Sequence, residues 1–405
     1  MISIKAIKAK IAWRATAPSV FLVLNSFVWY IFTSTIFSTI VNQLGVLDIE
    51  KLTLFIIYYI AVAVTAIFGA KFFPRARTRS LYIWFVMGAI ATVSLITISS
   101  SCMLIAALLT FFLGASIGIG LPSCLSYFAD SAAIENRGLV SGVIWSAVGF
   151  AVVIFAFVTN VLGQWEALLL LTFWRIFGGV GFFLLNRKNE TGTTQKSPRY
   201  LELIRKKEIL LYLFPWVMFC LLNFAEAPIV ESVLGADFAF VQLAEWGIVG
   251  IVAIIGGLVA DIAGRKRIVI AGFVMLGIEY AAMSAFSNSP ATLYLFLVLD
   301  GVSWGLLASA FFTTIWGDLG ENQEKEKYSV LGGLPYLLAN FLYVLGKLYV
   351  SVIPVAAAFS FASFFLFLAV LPLMYAPETL PEKKIREREL KGYLEKAKKE
   401  AGKYS

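Results

Sequence analysis

Six ionisable side chains interrupt stretches of this chain that are otherwise apolar: Arg175, Glu226, Glu245, Glu279, Asp300 and Lys347. A charge at the centre of a spanning helix costs about 2.5–3.5 kcal/mol on insertion scales, so such residues mark proton or solute paths or internal pairs. A carboxylate there can take and release a proton, and a nearby ammonium can exchange its carboxylate partner for a solute. Asp300, Glu226 and Lys347 are expected to form one such charge cluster, with Glu245 a further candidate. Trp304 follows Asp300 by one helical turn, and Asn223 shares a face with Glu226. Tyr336, Asn340, Tyr343 and Lys347 recur at spacings of 4, 3 and 4, which makes one polar stripe on one helical face. The first apolar stretch carries no charge and offers Asn25, Trp29, Tyr30 and Thr33. Flat aromatics such as Trp29 and Trp304 near carboxylates suit a sugar ring or an organic cation. Glu231 and Asp237 are read as part of an outer loop and as solvated.

The elements that position these residues are spanning helices. Of 405 residues, 60% are hydrophobic and only 14% charged, too apolar for a soluble protein of this length. Apolar runs fall near 17–41, 52–70, 81–99, 102–128, 138–160, 165–186, 209–234, 238–260, 268–287, 291–316, 328–352 and 356–376. Each is long enough for a helix of roughly 20 residues to cross a bilayer. Twelve spans leave no room for a soluble catalytic domain, so the chain is not expected to be an enzyme. Histidine is absent, and Cys102, Cys124 and Cys220 lack paired spacing, so neither a metal site nor a disulfide framework is indicated. No Gly-x4-Gly-Lys-Ser/Thr loop occurs, so no nucleotide site is expected, and no other cofactor.

Lys and Arg assign the orientation. With both termini inside, cytoplasmic segments hold 30 of the 33 basic residues, and the outer loops hold only Lys51. The net charge of +8 is therefore a topology signal, not a nucleic-acid footprint. The expected location is the plasma (cytoplasmic) membrane, multi-pass. Met1–Thr16 has no cleavable-leader layout and reads as an amphipathic cytoplasmic stub with Lys5, Lys8, Lys10 and Arg14 among isoleucines. The sequon at Asn189 then lies inside, where it carries no glycan.

A shift of 188 residues carries Gly69 onto Gly257, Arg77 onto Arg265, Asp130 onto Asp318 and Arg137 onto Lys325. Separate loops sharing one offset indicate a parallel repeat of two six-helix halves. The expected divisions are the stub 1–16, a first half 17–186, a cytoplasmic linker 187–208, a second half 209–376 and a charged cytoplasmic tail 377–405.

The string Gly257-x3-Asp261-x2-Gly264-Arg265-Lys266-Arg267 resembles the signature loop of the major facilitator superfamily. Tyr127-x2-Asp130-x6-Arg137-Gly138, Trp174-Arg175, Ser197-Pro198-Arg199 and Pro377-Glu378-Thr379 are similar to motifs of its sugar-porter and organic-ion branch. The first-half loop departs from the pattern, with Phe73 where the family has Asp. The resemblance implies an all-α membrane protein, the major facilitator fold, with twelve transmembrane helices in two pseudo-symmetric halves. It also implies that the first, fourth, seventh and tenth helices line a central cavity, while the sixth and ninth, carrying Arg175 and Glu279, are peripheral and pair inward. Asp261, Gly257, Gly264, Arg265, Asp130, Arg137, Asp318 and Lys325 are expected to form a gating latch between the halves, stronger in the second half.

The function expected is secondary active transport of a small polar organic solute, sugar-like or an organic ion, by alternating access coupled to protons. The alternatives are a proton-driven efflux antiporter for organic cations and a non-transporting membrane subunit or sensor of the same fold. The expected partners are a small-molecule substrate, H+ and membrane lipid, without nucleic acid, and the chain is expected to act as a monomer.

Overall fold

The computed structural model describes residues 13–186 and 198–381, apart from Asn288, Asn322, Leu348, Tyr349 and Ser351. Most of the stub, the linker core at 187–197 with its sequon, and the tail beyond 381 lie outside the described residues. The first half comprises α1 (Trp13–Gln43), α2 (Asp48–Phe72), α3 (Arg77–Ser94), α4 (Met103–Gly118, resuming at Leu121–Ser131), α5 (Arg137–Val161) and α6 (Gln164–Leu185). The second comprises α7 (Lys207–Leu234), α8 (Phe238–Ala263), α9 (Arg265–Phe286), α10 (Pro290–Leu307, continuing to Leu319), α11 (Glu326–Gly346) and α12 (Val355–Tyr375). Ten continuous helical stretches are long and apolar enough to cross a membrane. Two of them, Asp48–Ser100 with 53 residues and Lys207–Ala263 with 57, would be roughly 80 Å long if straight, more than twice a bilayer core of about 30 Å. Each is instead interrupted by a short 3-10 turn, at Phe73–Ala76 and Gly235–Asp237, which is consistent with twelve crossings among the described residues.

The repeat read from the sequence reappears as packing. In the first half α2 packs on α4, α3 on α6 and α1 on α6, and in the second α8 packs on α10, α9 on α12 and α7 on α12. The halves meet along two seams, α5 against α8 and α2 against α11. Small residues allow the first seam to close, as between spanning helices generally. A Cβ on Gly138 would lie 2.7 Å from the Gly257 carbonyl oxygen, and one on Gly257 would lie 2.1 Å from the Gly138 carbonyl oxygen.

Below Leu307, α10 loosens into a π-helical stretch, Ala308–Ile315. Thr313 and Thr314 donate to the carbonyls of Ala308 and Ser309, five residues back, so two side chains support the wider turn. This stretch carries Phe311 and Phe312 into the middle of the bundle, where both are buried.

Candidate functional site

Two arrangements join the halves, one at the end carrying the basic loops and one at the opposite end. At the basic end, α3, α4, α5, α8, α9, α10 and α11 bring together an ion-pair network. Arg137 pairs with Asp318 across the halves and with Glu321 at 3.0 Å. Asp318 also pairs with Arg265 at 2.9 Å and accepts from Thr379 at 3.1 Å. Asp261 pairs with Arg265 at 3.0 Å and accepts from the backbone N–H groups of Gly138 and Leu139, at 3.0 and 2.7 Å. Those are free N–H groups in the first turn of α5, where a carboxylate meets the positive end of the helix dipole. Lys325 bonds Asp130 at 2.6 Å, and Arg77 bonds Asp130 and Glu326, each at 2.6 Å. Gly264 has φ of +103°, a conformation that suits glycine, and the turn lets Glu378 accept from the Arg265 and Lys266 N–H groups.

The gating residues expected from the sequence therefore meet in space. The first-half loop, which lacks an acid at Phe73, meets a charge supplied by the other half. Phe73 cannot reach the first turn of α11 with a charge, but Glu326 lies in that turn and Arg77 crosses to it. The acid of the second seam has moved onto the partner helix. Arg77 was visible in the repeat; Glu321, Glu326 and Thr379 had no signal, because each matters only through a contact distant in sequence.

Above the network lies an aromatic floor. Phe312 sits against Phe27 at 5.3 Å between ring centres, Trp145 at 5.4 Å, Trp216 at 5.6 Å and Tyr336 at 5.1 Å. The four surrounding rings come from α1, α5, α7 and α11, so four helices close on one side chain of α10.

Beyond the floor a cavity of about 430 Å³ extends to the opposite end, where Asn42 and Lys347 are exposed. That volume falls in the range of small-molecule sites, roughly 300–1,000 Å³. Glu245, Asp300, Trp304 and Asn223 line it, as does the whole α11 stripe of Tyr336, Asn340, Tyr343 and Lys347. Asp300 is 6% exposed, and its Oδ1 has no hydrogen-bond partner among the described residues. It lies within electrostatic reach of Glu245 on α8 and Glu279 on α9.

Several candidates from the sequence are placed elsewhere. Lys347 does not join Asp300 and Glu226 in a cluster. It follows the last residue of α11, where its long stem carries the ammonium to the rim, 3.1 Å from Glu231, which also accepts from Tyr343 at 2.7 Å. Glu231 is thus a partner rather than a free solvated acid. Burial would lower the pKa of Lys347, but its contacts with Tyr343 and Glu231 outweigh that and raise it. Glu226 is buried outside the cavity lining, on the face of α7 from which it acts electrostatically on Tyr280 of α9. Asn25 and Trp29 are turned away from the cavity, because Arg175 draws them. Its guanidinium lies 4.3 Å from the Trp29 ring, 4.2 Å from Trp84 and 4.3 Å from Phe85, and donates to Asn25 and Ser26, each at 3.0 Å. No acid among the described residues pairs with Arg175, so the inward structural pair expected there is a cage of aromatic faces. Glu279, expected at the periphery, is fully buried behind Asp300.

The sequence profile of the Major Facilitator Superfamily matches residues 19–315. Among solved structures, that of the human organic anion transporter MFSD10 (TETRAN) is similar, with a TM-score of 0.61 and 14% sequence identity, over 89% of this chain and 98% of that one. At that identity the likeness speaks to the fold. No curated protein matches.

Proposed function

The chain belongs to the major facilitator superfamily, and on that premise we propose that it moves a small organic solute through the cavity by alternating access, coupled to protons at Asp300 and Glu245. The observation that carries this reading is a buried carboxylate with an unpartnered oxygen on the wall of a cavity closed at one end by the aromatic floor and the ion-pair network. A static structural pair would have satisfied that oxygen, since an unmet buried polar group costs about 1–3 kcal/mol. A transport site leaves it free for solute or proton. The asymmetry of basic residues assigns the network end to the cytoplasm, so the conformation faces outward. Return to the inward-facing state requires the network to part and the halves to rock about the two seams.

The test is uptake into proteoliposomes under an imposed pH gradient, with a panel of labelled sugars, carboxylates and organic cations. Saturable accumulation of one class that collapses with the gradient supports the reading. Accumulation unaffected by collapsing the gradient would remove the proton from it.

A further inference from the structure

We infer that the cavity takes a flat organic monocation, held by Asp300 and Glu245 against aromatic walls and exchanged one for one with a proton. This inference rests on the cavity being the transport site and names the class of solute that it would carry.

The charge inventory is lopsided. The charged residues lining the cavity are Glu245, Asp300 and Lys347. Lys347 is at the rim, its ammonium shared between the carboxylate oxygens of Glu231 at 3.1 and 3.2 Å, so among the described residues the cavity has no free cation to receive an anionic solute. Among the described residues the charged groups facing Asp300 from its neighbours are acidic: Glu245 from α8 and Glu279 from α9, with Glu226 of α7 meeting the adjoining Tyr280. Arg175 is on the far side of α1, enclosed by its own aromatic cage. The acids can be neutralised by protons or by a bound cation, and the two compete for the same charge.

The walls decide what kind of cation. Asp300 lies ten residues from the start of α10, about 15 Å along the helix and near mid-membrane. Around that depth the lining is Trp145, Trp246, Tyr280, Phe296, Trp304 and Tyr336. Indole and phenol faces attract cations, most strongly when water is excluded. The lining also holds amides and hydroxyls, Ser34, Ser38 and Asn42 on the outer turns of α1 and Asn223, Gln242 and Asn340 on α7, α8 and α11. These can hydrogen-bond the edge of a solute but carry no charge to balance the two acids, so the site presents negative charge and π faces with neutral polar groups between them.

The test uses the full-length chain purified in detergent and tritiated 1-methyl-4-phenylpyridinium as the probe. Two competitors share its shape: uncharged 4-methylbiphenyl and anionic biphenyl-4-carboxylate. Expected is saturable binding of the cation, displaced at least 100-fold less well by either competitor. Its affinity should weaken towards a limit of tenfold per pH unit as protons compete. Asp300→Asn and Glu245→Gln should each weaken binding at least tenfold, and Asp300→Glu should hold it within a few-fold. Displacement by the carboxylate as good as by unlabelled cation, or binding indifferent to pH, would overturn the inference. Both readouts need only the unmodified chain, so they stand even where a variant fails to fold. Counterflow of the same probe in proteoliposomes separates this inference from the transport reading. Binding in the stated order without counterflow would sink transport and leave the cation site; accumulation of a sugar or carboxylate without cation binding would do the reverse.

Discussion

Asp318→Asn should tip the molecule towards its inward-facing state. The Asp318 carboxylate is fully buried and meets two guanidiniums, Arg137 of one half and Arg265 of the other. Neutralising it leaves those two cations side by side, with Asp261 and Glu321 as their remaining counter-charges. Breaking a buried pair by removing one partner costs about 3–5 kcal/mol. Part of that is recovered here because Glu321 and Asp261 stay, which leaves roughly 2–3 kcal/mol against the closed network. Opening the halves relieves the penalty by returning both guanidiniums to water. At 1.4 kcal/mol per factor of ten, the outward-to-inward ratio should fall about 30- to 150-fold. The assay is thiol labelling in a background without Cys102, Cys124 and Cys220. Ser126→Cys reports the network end, because the Ser126 hydroxyl is buried 3.0 Å from Ser329 of the other half. Ser38→Cys reports the cavity wall. In Asp318→Asn, labelling at position 126 by an impermeant maleimide should accelerate and labelling at position 38 should slow. Unfolding would accelerate both. If position 126 labels at the parental rate in a folded sample, Asp318 does not hold the halves together, and the latch argument fails.

Three further outcomes are expected. Ser100→Cys, exposed at the end of the turn after α3, should label from outside intact cells and Arg199→Cys should not, and the opposite pattern would invert the topology. Gly257→Ala puts a methyl group 2.1 Å from the Gly138 carbonyl, and overpacking of this kind costs about 1–3 kcal/mol, so the α5–α8 seam should part and position 126 should label faster; unchanged labelling would mean that the seam absorbs the methyl without opening. Asp300→Asn should abolish accumulation driven by a pH gradient at any solute concentration, whereas solute-for-solute counterflow should return once the solute is raised by the tenfold or more that loss of the carboxylate costs in affinity, because exchange needs no net proton movement; accumulation at the parental level would move the proton site elsewhere.

Much of the architecture was legible in the chain because bilayer physics writes it locally. Each crossing must satisfy its own backbone hydrogen bonds, so each appears as a contiguous apolar run, and the runs could be counted before any contact was known. The repeat was legible for a related reason: Asp130, Arg137, Asp318 and Lys325 sit in short loops whose register cannot drift far, so one offset aligns them. Their convergence into a network followed from the same symmetry. Glu326 escaped notice because it supplies from α11 the charge that Phe73 lacks, a compensation visible only once the two helix ends lie together.

The cavity was legible only in part. The α11 stripe declared itself through its period, and Asp300 and Glu245 through the cost of a charge in an apolar run. The direction in which an isolated charge points has no such signature. Asn25 and Trp29 sit on the helix expected to line the path, yet Arg175, 150 residues away in sequence from Asn25, turns them towards α3 and α6. Lys347 reads as a membrane charge until the end of α11 is placed, after which its stem reaches the rim and Glu231. Composition and periodicity determined that this chain is a multi-pass membrane protein of two related helical halves, because those properties are set residue by residue along each helix. Which acids face the cavity, which cation stays caged and which end is closed were decided by tertiary structure, because charges in a low-dielectric interior find partners by proximity in space, and sequence separation does not record it.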